Sequence, residues 1–152
     1  MEKLAELYKR WKGEAPVSMT ILPEAGSNRK YYRITSNDGE SVIGVVGNIR
    51  DENHTFIYLT KHFTDRKLPV PHILAVDDDE LRYLQTDLGS TSLFDVLRGG
   101  RESGGRYNMR EKQLLTAVIR ELPNIQIRGA RGLDWEVCYP QPEFDVDSVL
   151  FD

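Results

Sequence analysis

Residues 29–46, RKYYRITSNDGESVIGVV, decide the fold. Two runs rich in Val, Ile, Thr and Tyr, residues 29–35 and Ser41–Val46, flank Asn37-Asp38-Gly39. Asp-Gly tolerates the positive φ that tight hairpin turns need, so the segment reads as an antiparallel hairpin. Upstream, residues 17–22 form another strand-like run. Before it, Glu2–Lys12 places Leu4, Leu7, Tyr8 and Trp11 at i, i+3, i+4 and i+7, a helix stopped by Gly13 and Pro16. Downstream, residues 51–66 read as a helix with Phe56, Leu59 and Phe63 along one side, ended by Leu68-Pro69-Val70-Pro71. A second hairpin pairs Ile73–Val76 with residues 81–86 about the turn Asp77-Asp78-Asp79-Glu80. After the leading helix the order is β-β-β-α-β-β. Short connections then predict the α+β class: a five-stranded antiparallel sheet with one helix packed on it.

The remainder reads as helical. Residues 92–97 suggest a short helix, and residues 99–105, with glycine at 99, 100, 104 and 105, suggest a mobile loop. Residues 109–122 suggest a longer helix striped by Leu114, Leu115, Val118, Ile119 and Leu122, which Pro123 kinks or restarts. Residues 129–142 look irregular. Residues 144–152 begin an apolar segment in which Val146, Val149, Leu150 and Phe151 would share a helix face. A natural terminus more often frays in polar residues, so a cut chain, self-associating through this end, is expected. The division expected is residues 1–87 and 88–152.

Composition narrows the function classes. At 152 residues the chain suits one domain's worth of core. No apolar run approaches the ~20 residues of a membrane span, and the charged N-terminus lacks a signal peptide's apolar centre. The lone Cys138 excludes an internal disulfide framework and fits the cytoplasm. A net charge of −4 argues against nucleic-acid binding, which favours a basic stripe. That charge is uneven: residues 1–76 carry +2 and residues 77–152 carry −6. Either the second half presents a solvated acidic face, or the positive first half handles an anion.

Catalytic constellations of the familiar kinds are absent. His54, His62 and His72 have no partners at metal-ligand spacing, and His54 and His62 are expected on the solvent side of their helix. No Gly-x-Ser-x-Gly surrounds a serine, and Cys138 sits in an acidic stretch unsuited to thiolate activation. Asp77-Asp78-Asp79-Glu80 could bind a metal, but its place between two strands favours a solvated turn. Residues 25–34, AGSNRKYYRI, are more informative. Gly26 and Asn28 permit unusual φ/ψ, so backbone N–H groups can converge on an anion, and Arg29, Lys30 and Arg33 supply charge. The same residues also describe a tight hairpin followed by an exposed basic strand.

These segments, with LPVPHILAVDDDELRYLQTDLGSTSLFDVL at residues 68–97, resemble the amino-terminal lobe of the aminoglycoside phosphotransferase and choline-kinase-like family. Within it they are most similar to bacterial cell-wall amino-sugar kinases acting on N-acetylmuramate or N-acetylglucosamine. The pattern P-x-I-L-x-x-D … L-x-x-D-L-G … L, from Pro71 to Leu93, is its most specific part. The resemblance covers residues 15–98 well and 109–152 loosely. It implies a protein-kinase-like fold: a five-stranded lobe hinged to a helical lobe, ATP between them. On that basis Gly26, Ser27 and Asn28 cover the phosphates and Glu52 partners the phosphate-binding cation. Leu84 lines the pocket behind the adenine, which pairs with the carbonyl of Gln85 and the N–H of Asp87. Thr86 and Leu88 complete that hinge.

Two departures qualify it. The third strand, Ser41–Val46, has no lysine for the phosphates, so Arg29 or Lys30 would substitute, leaving Glu52 without its usual partner. No His-x-Asp-x-x-x-x-Asn catalytic loop occurs, so no residue here is assigned a catalytic role. The resemblance implies the N-terminal part of an ATP-dependent kinase transferring phosphate to a sugar or amino-sugar hydroxyl. Its Mg2+ ligands would lie in later residues. The rival readings are a pseudokinase-like binding or regulatory module and a plain α+β interaction domain.

Overall fold

In the computed structural model, which describes residues 1–23, 26 and 28–143, the hairpin becomes β2 (Lys30–Thr35) and β3 (Ser41–Val46). They pair antiparallel from Lys30↔Val46 to Thr35↔Ser41. Gly39 takes φ +84° in the turn, and Asp38 accepts from the Ser36 hydroxyl and, at 3.1 Å, from the Glu40 N–H. With β1 (Ser18–Ile21), β4 (Ile73–Val76) and β5 (Arg82–Thr86) they form one five-stranded antiparallel sheet in the order β1-β2-β3-β5-β4. The chain is α+β, with five α-helices among the described residues.

Strand alternation gives the sheet two apolar faces, and each is covered. On one, Leu4, Leu7 and Tyr8 of α1 (Glu2–Lys12) pack against Ile34, Val42 and Leu84. On the other, Ile57 of α2 (Arg50–Asp65) packs against Ile43, Val45 and Tyr83. The expected pair of layers is thus three, because the leading helix has an apolar stripe of its own to bury. Gly44 sets the distance of α1 from the sheet. A Cβ there would stand 2.7 Å from Ile34 Cδ1 and 2.9 Å from Leu4 Cδ2.

α2 is buried on two sides. Asn53, Ile57 and Thr60 recur at i, i+4 and i+7, displacing Phe56, Leu59 and Phe63 as the most buried stripe. Thr55 and His62 are buried as well. The cover near Thr55 comes from residues 133–139. There Asp134 N–H donates to the Tyr58 hydroxyl at 2.7 Å, Thr55 Oγ1 donates to the Val137 carbonyl at 2.5 Å, and Tyr139 N–H donates to Thr55 Oγ1 at 3.0 Å. His62, expected in solvent, is 8% exposed beside the rings of Tyr58 and Phe63. His54 does face solvent and pairs with Glu80 at 3.0 Å.

The chain divides into two compact units, with one boundary after Asp87 and another after Gly132. Met1–Asp87 groups with the described residues from Leu133 onward, and Leu88–Gly132 forms the second unit. The return of residues 133–139 onto α2 is the reason. In the second unit α3 (Leu93–Val96) is capped by the Ser92 hydroxyl, which accepts from Asp95 N–H at 3.1 Å. The expected glycine loop at 99–105 is instead helical over α4 (Arg98–Glu102). Its glycine permits close contact, since a Cβ at Gly100 would stand 2.0 Å from Tyr107 Cδ1. Glu111 secures it, accepting from the N–H groups of Gly100 at 3.0 Å and Asn108 at 2.8 Å. The second of these completes a capping box at the start of α5 (Met109–Pro123). Pro123 stays inside that helix and a π-helical turn, Asn124–Arg128, follows it. The stripe on α5 is left outward, with Val118, Ile119 and Leu122 exposed. Residues 144–152, read as an apolar helix face, lie outside the described residues, as does Ser27. No helix among the described residues is long and apolar enough to cross a membrane.

Three turn carboxylates make the fold acid-sensitive. Asp38 is held down at about 2 by the Ser36 hydroxyl, the Glu40 N–H and Lys12. For Asp77 burial favours the neutral form, but Arg82 at 2.7 Å and Arg10 at 2.6 Å outweigh it and keep it below the usual range. Glu80 is lowered chiefly by His54, with Arg50 adding. A carboxylate whose folded pKa is depressed stabilises the fold above its unfolded pKa, and that contribution disappears as pH falls through the folded value. The thermal midpoint is therefore expected to hold down to about pH 4.5 and then drop toward pH 2. In Asp38→Asn the part of that drop nearest pH 2 should be shallower, as scanning calorimetry across the range would show.

Candidate functional site

β2 sorts its cations by alternation. Tyr32 and Ile34 pack on the α1 side, so Lys30 shares their side and is exposed. Tyr31 packs on the α2 side, and Arg29, one residue before the strand, points there too. Arg29 Nη2 lies 2.6 Å from Glu52 Oε1 and donates to the Glu52 carbonyl at 3.4 Å. Its Cζ stands 5.0 Å from the Phe56 ring centroid. Only 11% of the Arg29 side chain is exposed. Burial works against its charge, but Tyr83, Glu52 and Tyr31 around it outweigh that, so its pKa is raised and it stays a cation. Glu52, expected to be left without its usual partner, is instead paired with Arg29.

Behind Phe56 lies Tyr83, stacked on it at 5.4 Å between centroids with 26° between planes. Tyr83 is fully buried. Burial pushes its phenol well above the ordinary tyrosine value, and the charge of Arg29 opposes that shift. Gly26 has φ +70°, with no atom within 4 Å of where a Cβ would stand, and Asn28 is exposed.

β5 corrects the expected hinge. Leu84, assigned to the pocket behind an adenine, is wholly buried on the other face, between α1 and the sheet. A strand has period two, so the residues on the α2 face are Tyr83 and Gln85. The Gln85 carbonyl is not offered to a ligand either. Leu81 C=O accepts from Gly47 N–H at 2.9 Å, which turns the backbone groups of odd-numbered residues in β5 toward β3. Gln85, opposite Ile43, is therefore engaged in the β3 ladder. Even-numbered residues face β4: Arg82 C=O accepts from Asp77 N–H at 2.9 Å and Thr86 N–H donates to His72 C=O at 3.0 Å. Thr86 Oγ1 also accepts from His72 N–H at 3.0 Å. Asp87 contributes its carboxylate, 6% exposed, which accepts from Arg33 Nε at 2.6 Å and Nη2 at 3.1 Å and from Ser41 Oγ at 2.7 Å. Leu88 is exposed.

Of the eleven residues singled out from the sequence, then, Arg29 and Glu52 meet at 2.6 Å. Leu84 and Lys30 belong to the opposite face. Phe56, Tyr83 and the Arg33–Asp87–Ser41 cluster were not foreseen. Phe56 stands one helical turn after Glu52, and Tyr83 two residues before Gln85, so the periods 3.6 and 2 carried that signal.

The acidic turn is structural. Asp77 is shared by Arg10 and Arg82, Asp79 bonds Arg82, and Glu80 bonds His54 and Arg50. Among the described residues no three His, Cys, Asp or Glu side chains converge on a metal position. No protein-family model matches the chain, and no curated protein matches it.

Proposed function

We propose that Met1–Asp87 is the nucleotide-binding part of an ATP-dependent small-molecule phosphotransferase of the kinase-like fold, with a sugar or amino-sugar hydroxyl as acceptor. One observation carries the reading. A buried arginine at the end of a glycine-bearing loop is held by a glutamate from the first turn of α2, where strand three has no lysine. That arrangement keeps a phosphate-directed cation oriented and charged, which phosphoryl transfer asks of this side of the site. It also weakens the rival reading of a lapsed, pseudokinase-like module, since the missing lysine leaves Glu52 paired.

The chemistry of the same face fits a nucleotide. Gly26 leaves room for close approach of phosphate oxygens to the backbone. Gln85 Oε1 is a buried acceptor without a hydrogen-bond partner among the described residues, which suits a ligand amino group. Mg2+ finds no donor set among the described residues, with Glu52 already engaged by Arg29. The role of this chain's own groups is therefore to bind and orient the phosphates.

The test is an amide NMR titration of the 152-residue chain with ATP. Gly26, Asn28 and Arg29 are expected to shift together with Thr86 and Asp87, at an affinity of about 4–6 kcal/mol. Arg29→Ala should weaken binding about tenfold or more, whereas Lys30→Ala, on the opposite face, should change it little. Shifts confined to Asp77–Glu80, or equal losses from the two variants, would overturn the reading. Sugar phosphorylation by these residues alone is not expected, because they contain no His-x-Asp-x-x-x-x-Asn.

A further inference from the structure

Tyr83 carries a hydroxyl that the packing of β5 does not need. Its ring is fully buried and stacks on Phe56, a contact that phenylalanine would make equally well. The hydroxyl oxygen is buried and has no hydrogen-bond partner of ordinary geometry among the described residues. A buried hydroxyl left in that state is unfavourable, and native cores seldom keep one without a use. The charged group beside it is the Arg29 guanidinium, which also lies over Phe56 at 5.0 Å. Arg29, Phe56 and Tyr83 therefore form a triangle, closed on its outer side by Glu52 at 2.6 Å.

We propose that Tyr83 is a positioning residue for Arg29: its phenol oxygen and the shared Phe56 ring hold the guanidinium in its place against Glu52. The inference rests on the nucleotide reading above. Glu52 alone restrains one edge of a planar cation on a long side chain. A ring beneath the plane and an oxygen beside it remove the remaining rotation, so less freedom is lost when a phosphate binds. Tyr83 itself touches no ligand, being wholly buried.

The experiment measures ATP and adenosine binding to the full chain by calorimetry, for wild type and Tyr83→Phe. A structural role would affect both ligands alike. A positioning role affects only the ligand with phosphates. Tyr83→Phe is expected to bind ATP about tenfold more weakly, with adenosine binding and the thermal midpoint unchanged. Phe56→Leu, which removes the shared ring, should show the same selective loss. Equal losses for ATP and adenosine, or no loss for either, would overturn the positioning role while leaving the nucleotide reading standing. Wild type that binds neither ligand overturns both.

Discussion

Glu52→Leu is expected to unfold at markedly lower urea concentration than wild type, with a loss of about 2–4 kcal/mol. The reason is the charge it strands. Arg29 is 11% exposed, and the substitution removes the carboxylate 2.6 Å from it while keeping the neutral Phe56 ring and the Glu52 carbonyl. Those neighbours do not replace an ionic partner in a region where water is largely excluded. The figure sits below that for a fully buried pair because Glu52 keeps 28% of its own side chain in solvent. Removing both charges is a different matter. Arg29→Met/Glu52→Leu should recover to within about 1 kcal/mol of wild type, since a buried pair is often replaceable by apolar groups of similar volume. Additive losses in this cycle would show that the two side chains do not act as a unit. The double variant also separates stability from function: it should fold well and lose the phosphate-dependent part of ATP binding.

The elements were more legible in the sequence than their faces. Glu2–Lys12, Ser41–Val46 and Ile73–Val76 sit where hydrophobic period and turn chemistry put them, because local preference and tertiary packing agree there. Leu84 shows the limit. Placing it behind a ligand required knowing which face of β5 looks toward α2, and a slip of one residue reverses every side chain of a strand. The cover of α2 near Thr55 and the helical glycines of α4 escaped the sequence for another reason. What buries α2 near Thr55 arrives from residues 133–139, about 80 positions away, and what orders Gly100 is the ring of Tyr107. Neither leaves a local signature. In the candidate site Arg29 and Glu52 were each named, but Glu52 was expected without its usual partner, and the aromatic setting of the pair was not foreseen. Phe56 and Tyr83 look like ordinary core residues until both are seen to meet the same guanidinium.

Leu4→Ala is expected to destabilise the chain by about 2–5 kcal/mol, although it lies in the first turns of a terminal helix. Terminal helices often tolerate such changes, because few contacts hold them. This one differs, since Leu4 is completely buried with Ile34, Val42 and Leu84 on the face of the sheet opposite α2. Truncating it leaves a cavity over the middle of β3 that the flat strand cannot collapse to fill. The geometry at Gly44 gives the prediction a second arm. A methyl there would stand 2.9 Å from Leu4 Cδ2 and 2.7 Å from Ile34 Cδ1, so Gly44→Ala alone should cost about 1–3 kcal/mol by overpacking. With Leu4 already shortened, one of those two clashes is gone and the new methyl occupies part of the space vacated. Leu4→Ala/Gly44→Ala is thus expected to be more stable than the sum of the single losses by about 1 kcal/mol, with the other clash relieved by rotation of the Ile34 side chain. Urea unfolding of the four proteins measures it. Strict additivity, or a Leu4→Ala loss below about 1 kcal/mol, would mean that α1 merely rests on the sheet and that the buried face of β3 is held by other contacts.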